Sequence, residues 1–263
     1  MAAFLGILPV TAAALVAGFL AVWALSVARR DASIVDILWG LGFVLVAVVA
    51  FGASGPHTPR ASLVLLLTTL WGARLAGYLF WRNHGQGEDF RYRAMRKRHG
   101  GRFALVSLYS VFGLQAALCW VISWPVQAAI ASPVPDAWTG LDLLGVALFA
   151  LGFVFESVGD LQLARFKGDP ANRGRVMDRG LWAWTRHPNY FGDAVVWWGL
   201  FALALSTPAG WVTLPAPALM TFLLVRVSGV ALLERSLQKT RPGYADYVAR
   251  TSAFLPLPPR RQT

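Results

Sequence analysis

The stretch FLGILPVTAAALVAGFLAVWALSV, residues 4–27, carries no charged side chain. A run of about 20 apolar residues crosses the ~30 Å hydrocarbon core of a bilayer as a helix. This run has no basic start and is longer than the apolar region of a signal peptide, so it reads as a retained span. Six further blocks follow the same pattern, at 33–53, 61–81, 104–130, 138–163, 192–207 and 211–233. Only STPAG separates the last two, so a re-entrant hairpin is the alternative there. The whole composition agrees: 56% of residues are hydrophobic and 14% charged, against about 25% charged in a soluble domain. The expected fold class is therefore all-α: a polytopic membrane protein of about seven transmembrane helices, forming one integral domain over 1–263. Cys119 is the sole cysteine, which excludes an internal disulfide and a cysteine-cluster metal site. No metal site is expected.

The net charge of +11 is unevenly placed. Arg29 and Arg30 follow the first block, seven basic residues lie between Arg82 and Arg102, six between Arg165 and Arg186, and six between Arg235 and Arg261. The intervening loops hold Arg60 alone. By the positive-inside rule the basic loops face the cytoplasm, which puts the N-terminus outside and the C-terminus inside. The expected partners of this charge are membrane lipids, not nucleic acid.

Ionisable groups inside a bilayer are costly, and they mark function or pairing. Asp36 lies one turn inside the second block. Arg74, Tyr78 and Arg82 follow at steps of four, on one face of the third. Glu156 and Asp160 stand one turn apart in the fifth, followed by Arg165 and Lys167. Asp193 opens the sixth, Arg226 lies within the seventh, and Glu234 ends it. All belong to the basic-loop half of the spans. The other half holds Asp142, Gln115 and Gln127. This asymmetry predicts a polar cavity open to the cytoplasm above an apolar floor. Arginines of the two large basic loops suit phosphate, and no GxGxxG or GxxxxGK[ST] pattern offers a Rossmann or P-loop alternative.

RHPNYFGD, residues 186–193, reads as a loop-to-helix junction. Pro188 suits a helix start, Asn189 and Asp193 share a face one turn apart, and Asp193 meets the positive end of the helix dipole. The surrounding GLWAWTRHPNYFGD resembles the signature of the steroid 5α-reductase-like membrane family, including its bacterial members. The sterol Δ14/Δ7-reductases share a similar RHPNY-GD element, and isoprenylcysteine and phospholipid methyltransferases carry a shorter RHP-x-Y. The C-terminal LLERSLQKTRPGYADYVARTSAFLPLPP fits the same family.

The resemblance implies a multi-pass enzyme of the bacterial inner membrane. It would bind NADPH from the cytoplasm and reduce a carbon–carbon double bond in a lipid or steroid-like substrate. Residues 138–259 would form the cofactor-binding half, with 1–135 (helices 1–4) matched loosely. Asn189 and Asp193 match family positions that contact the nucleotide. Asp160 matches the family's aspartate, while Glu156 and Lys167 replace an asparagine and an arginine. Arg74, Arg82, Arg186, His187, Tyr190, Arg226 and Tyr247 complete the candidate cofactor-binding set. Trp71 stands where the steroid enzymes carry a substrate-polarising tyrosine; Tyr78 and Asp36, at a shared depth in the third and second blocks and beside Arg74, are the expected catalytic donors. The competing readings are an S-adenosylmethionine-dependent lipid or isoprenylcysteine-type methyltransferase, and a transporter or binding protein without catalysis.

Overall fold

A computed structural model describes residues 1–55, 57–227, 234, 237 and 240–260. Among these the protein is helical, with no strand. Six helical segments are long and apolar enough to cross a membrane: Ala2–Arg29 (α1), Ile34–Ala53 (α2), Pro59–Asn83 (α3), the composite Phe90–Ile122, Gly140–Gly168 and the composite Gly210–Val227. The expected block at 192–207 is an 18-residue helix, Pro188–Leu205, that begins four residues earlier with the polar PNYFGD. That opening leaves it outside the six. The inner end of the last expected block, 228–233, lies outside the described residues.

Two compact units divide the chain, Met1–Asp142 with Leu203–Ala216, and Leu143–Ala202 with Pro217–Thr263. In the first, α1 ends where Arg30 turns into the left-handed region at φ 53°. Thr58 caps α3, its hydroxyl accepting from the Ala61 amide at 3.2 Å, with Pro59 in the first turn. Helices α2 and α3 cross with backbones in contact: a Cβ on Gly40 would stand 2.6 Å from the Gly72 carbonyl oxygen. Lipid gives packed helices little hydrophobic drive, so such close small-residue crossings supply much of the attraction. Phe43 and Trp71, both fully buried, pack edge to face beside this crossing at 5.5 Å.

The composite segment of the first unit comprises Phe90–His99 (α4), Phe103–Ser107 (α5), a π-helical stretch at Leu108–Gly113 and Leu114–Ile122 (α6). Asp89 caps α4, accepting from the Arg91 amide at 2.9 Å. The expected span 104–130 is interrupted at Ser123, and a new helix, Trp124–Ala131 (α7), opens with Pro125 in its first turn. Proline has no N–H to donate, so it fits a start better than an interior.

The non-basic half of the first unit is less apolar than its sequence suggests. Gln127, fully buried, accepts from the Thr11 hydroxyl at 2.7 Å and donates to Ser123 Oγ at 2.9 Å. Arg60 and Asp142 form a bidentate ion pair at 2.6 and 2.8 Å, with only 2% and 1% of each exposed. The Arg60 guanidinium also donates to the carbonyls of Pro135 and Ala137, and the Thr139 amide and hydroxyl donate to Asp142. Both carboxylate oxygens and all three guanidinium nitrogens are thereby partnered, as a buried charge pair requires.

In the second unit, Gly140–Gly168 (α8) and Pro188–Leu205 (α9) run antiparallel along a glycine seam. A Cβ on Gly152 would stand 2.5 Å from the Gly192 carbonyl oxygen, and one on Gly199 would stand 2.6 Å from the Phe149 amide. At the far end a Cβ on Gly159 would lie 3.2 Å from the Asn189 amide. The helices Pro215–Phe222 (α10) and Tyr244–Arg250 (α11) follow, with a π-helical stretch at Leu223–Val227 after the former.

Candidate active site

The glycine seam decides which side chains of the second unit meet. With no Cβ between the backbones, side chains flanking the seam are brought within hydrogen-bonding reach. The Asn189 side-chain amide donates to Asp160 Oδ1 at 3.1 Å. Glu156 lies one turn before Asp160 and its backbone touches Gly192, the neighbour of Asp193. Glu156 and Asp160 are 3% and 5% exposed in a helix with few other charges. The structure therefore brings Glu156, Asp160, Asn189 and Asp193 to one stretch of the α8–α9 crossing.

The residues just before α9 make a different set of contacts. Thr185 pairs with Ser252 in a parallel bridge, and the Arg186 amide donates to the Ser252 carbonyl at 2.9 Å. The buried Arg186 guanidinium donates to Glu234 at 2.7 Å and to the carbonyls of Thr251 and Val248 at 2.5 and 3.3 Å. His187 meets the same Glu234 oxygen at 3.2 Å, and its ring stacks on Tyr190 at 5.5 Å. The Tyr247 hydroxyl donates to the Trp182 carbonyl at 2.5 Å, and the Trp182 indole donates to the Gly159 carbonyl at 3.0 Å. Arg186, His187 and Tyr247, grouped by sequence with a cofactor, thus anchor the C-terminal segment against the start of α9.

Burial disfavours the charged form of Glu234. The hydrogen bonds from His187 and Arg186 outweigh it and hold the carboxyl down at about 2. Burial and the Glu234 charge push the Tyr244 hydroxyl up to about 12. Arg250 pairs with Asp178. Lys167, at the end of α8, and Arg226, in the π-helical stretch, are both exposed.

In the first unit Tyr78 lies between two cations: the guanidinium carbons of Arg74 and Arg82 stand 5.5 and 5.8 Å from its ring centre. The face that the four-residue spacing predicts is thus present. Asp36 accepts from the Tyr92 hydroxyl at 2.7 Å and from Arg91 at 3.0 Å. Glu88 accepts from Arg96 at 2.7 Å and from the Ala32 amide at 2.9 Å, and Ser33 Oγ accepts from the Asp89 amide at 2.6 Å. Together these contacts strap the basic loop to the start of α2. The signal for the strap was present in the sequence as Glu88, Asp89, Arg91 and Tyr92 inside the basic loop, but its partner was not.

The family model described as "Protein of unknown function (DUF1295)" matches residues 22–251. The chain belongs to the DUF1295 family. The match runs from within α1 to just past α11, so most of each unit of this DUF1295 protein, and the whole of the glycine seam and the RHPNYFGD junction, lie inside it. No curated protein and no solved structure matches the chain.

Proposed function

We propose that this DUF1295 membrane protein is an NADPH-dependent reductase of a carbon–carbon double bond in a lipid or steroid-like enone. The observation that carries the reading is the Asp160–Asn189 hydrogen bond on the glycine seam, with Glu156 and Asp193 on the same crossing. Carboxylates within an apolar helix pair suit a hydroxyl-rich ligand, because ribose hydroxyls donate to them. Lys167 and Arg226, exposed in the same unit, suit its phosphates. Asn189 has both an amide donor and an acceptor for a carboxamide.

These residues fit NADPH by the chemistry of their donors. When bound, NADPH supplies a hydride to the β-carbon of the activated alkene. The protein's task is then to orient the reactants, exclude water and deliver a proton to the substrate. Tyr78 is the proposed donor: its phenol carries a transferable proton, and the Arg74 and Arg82 guanidinium groups beside its ring suit negative charge developing on a substrate oxygen. Asp36 accepts hydrogen bonds at both oxygens, which suits strapping the loop more than donating a proton.

Thermal unfolding of the purified full chain with NADPH or with S-adenosylmethionine tests the reading. A ligand that binds only the folded state must raise the midpoint. NADPH is expected to raise it, and an enone lipid is then expected to drive oxidation of the nicotinamide, followed as loss of the reduced form's absorbance. A rise with S-adenosylmethionine alone replaces the reductase by a methyltransferase.

A further inference from the structure

An apolar groove of about 220 Å³ opens between α1 and the π-helical stretch Leu108–Gly113 with the α6 helix that follows it. Leu15, Phe19 and Phe112, all buried, form its floor, while Val16 and Leu20, 52% and 44% exposed, form its rim. Gly113, Ala116 and Ala117 keep one wall low. A π-helical turn displaces the side chains of a helix by a fraction of a turn and often marks a functional site. The groove runs from Ala12 to Leu20, about 12 Å at the rise of an α-helix.

The chain beyond the Leu20 end of this groove is basic, about 15 Å further along at the rise of a helix, within reach of a headgroup whose acyl chain lies in the groove. The Trp23 indole donates to the Ala104 carbonyl at 3.0 Å, which fixes the end of α1 beside the start of α5. Arg29 and Arg30 follow on α1 six and seven residues later, and Arg102 precedes Ala104 by two. Lys97 and Arg98 close the preceding helix α4. All five are exposed, and among the described residues none has an ion-pair partner, because Glu88 and Asp89 are taken by Arg96 and Arg91.

The geometry points to a binding site for one anionic phospholipid, with an acyl chain in the groove and the headgroup phosphate on Arg30 and Arg102. Charge complementarity selects the headgroup: a zwitterionic lipid fills the groove equally well but leaves the basic end uncompensated. Each basic residue near a membrane surface attracts anionic lipid by about 1 kcal/mol, or roughly fivefold in affinity. The site is separate from the α8–α9 seam and needs no catalysis to operate.

Native mass spectrometry of the full chain, released from micelles holding equal phosphatidylglycerol and phosphatidylcholine of the same chains, tests this. Wild type is expected to retain one phosphatidylglycerol in roughly 25-fold preference, about fivefold for each of Arg30 and Arg102. R30Q with R102Q should bring the preference near parity. A116F fills the groove and should remove the retained lipid; A117F, on the exposed wall, does the same without disturbing the interior. Equal retention of both lipids by wild type overturns the proposal. So does a preference that survives R30Q/R102Q, or a lipid still held by A117F.

Discussion

Asn189 donates to Asp160 across a crossing where two helix backbones touch. The bond joins the first turn of α9 to a buried carboxylate on α8, and it holds both groups at the candidate site. Replacing Asn189 with Ala should cost about 1 kcal/mol of stability, the net value of one such bond. It should also abolish most of the thermal shift produced by NADPH. The Asp160→Asn variant should lose the ligand shift as well. If both variants respond to NADPH as wild type does, Asp160 and Asn189 are not the cofactor's ligands.

The seam itself makes a steric prediction. Gly152→Ala places a methyl 2.5 Å from the Gly192 carbonyl oxygen and the Val196 amide, where no flexible side chain can yield. Overpacking of this kind costs about 1–3 kcal/mol. Gly77→Ala is the control, since its Cβ meets nothing and alanine favours helix by about 1 kcal/mol. Thermal unfolding of the two variants should move in opposite directions.

The Arg60–Asp142 pair predicts a large single-variant penalty and a small double one. Asp142→Ala leaves a guanidinium only 2% exposed without its carboxylate, at a cost of about 3–5 kcal/mol. Arg60→Met combined with Asp142→Leu removes both charges and should recover most of that loss. A double variant as unstable as Asp142→Ala would show that the hydrogen bonds to Pro135 and Ala137, not the pairing, carry the stability.

Acid should loosen the C-terminal clamp. Glu234 is held at about 2, below its ordinary 4.5, so its contribution is complete above 4.5 and lost as pH falls toward 2. The protection of the Arg186 amide against hydrogen exchange, relative to the intrinsic rate at each pH, should fall through that window, since this amide donates to the Ser252 carbonyl. Glu234→Gln removes the titrating group and should flatten the response. An unchanged slope in that variant would assign the acid sensitivity to another carboxylate.

The membrane-spanning character was legible because uninterrupted apolar blocks have few other uses. The face shared by Arg74, Tyr78 and Arg82 was legible because helical spacing alone fixes it. Pairing between distant segments was not. Arg60 read as an isolated loop charge, yet it pairs with Asp142, 82 residues away. Arg186 has the composition of a phosphate ligand, and a guanidinium serves carbonyls and carboxylates equally well. Only the fold shows that its partners are Thr251, Val248 and Glu234. Gln127 stood out in its apolar run, but its partners Thr11 and Ser123 did not, since a lone hydroxyl looks tolerable there.

The Thr185–Ser252 bridge bears on how the protein should be handled. Trimming the chain ahead of Val248 would strip Arg186 of two carbonyl acceptors and strand a guanidinium deep in the fold. Affinity handles and reporter fusions therefore belong beyond Arg260, because the Leu257 amide still bonds back to Trp184 and the Arg260 amide to Arg250. A shortened version that expresses poorly would then report a lost anchor for α9, whatever its chemistry.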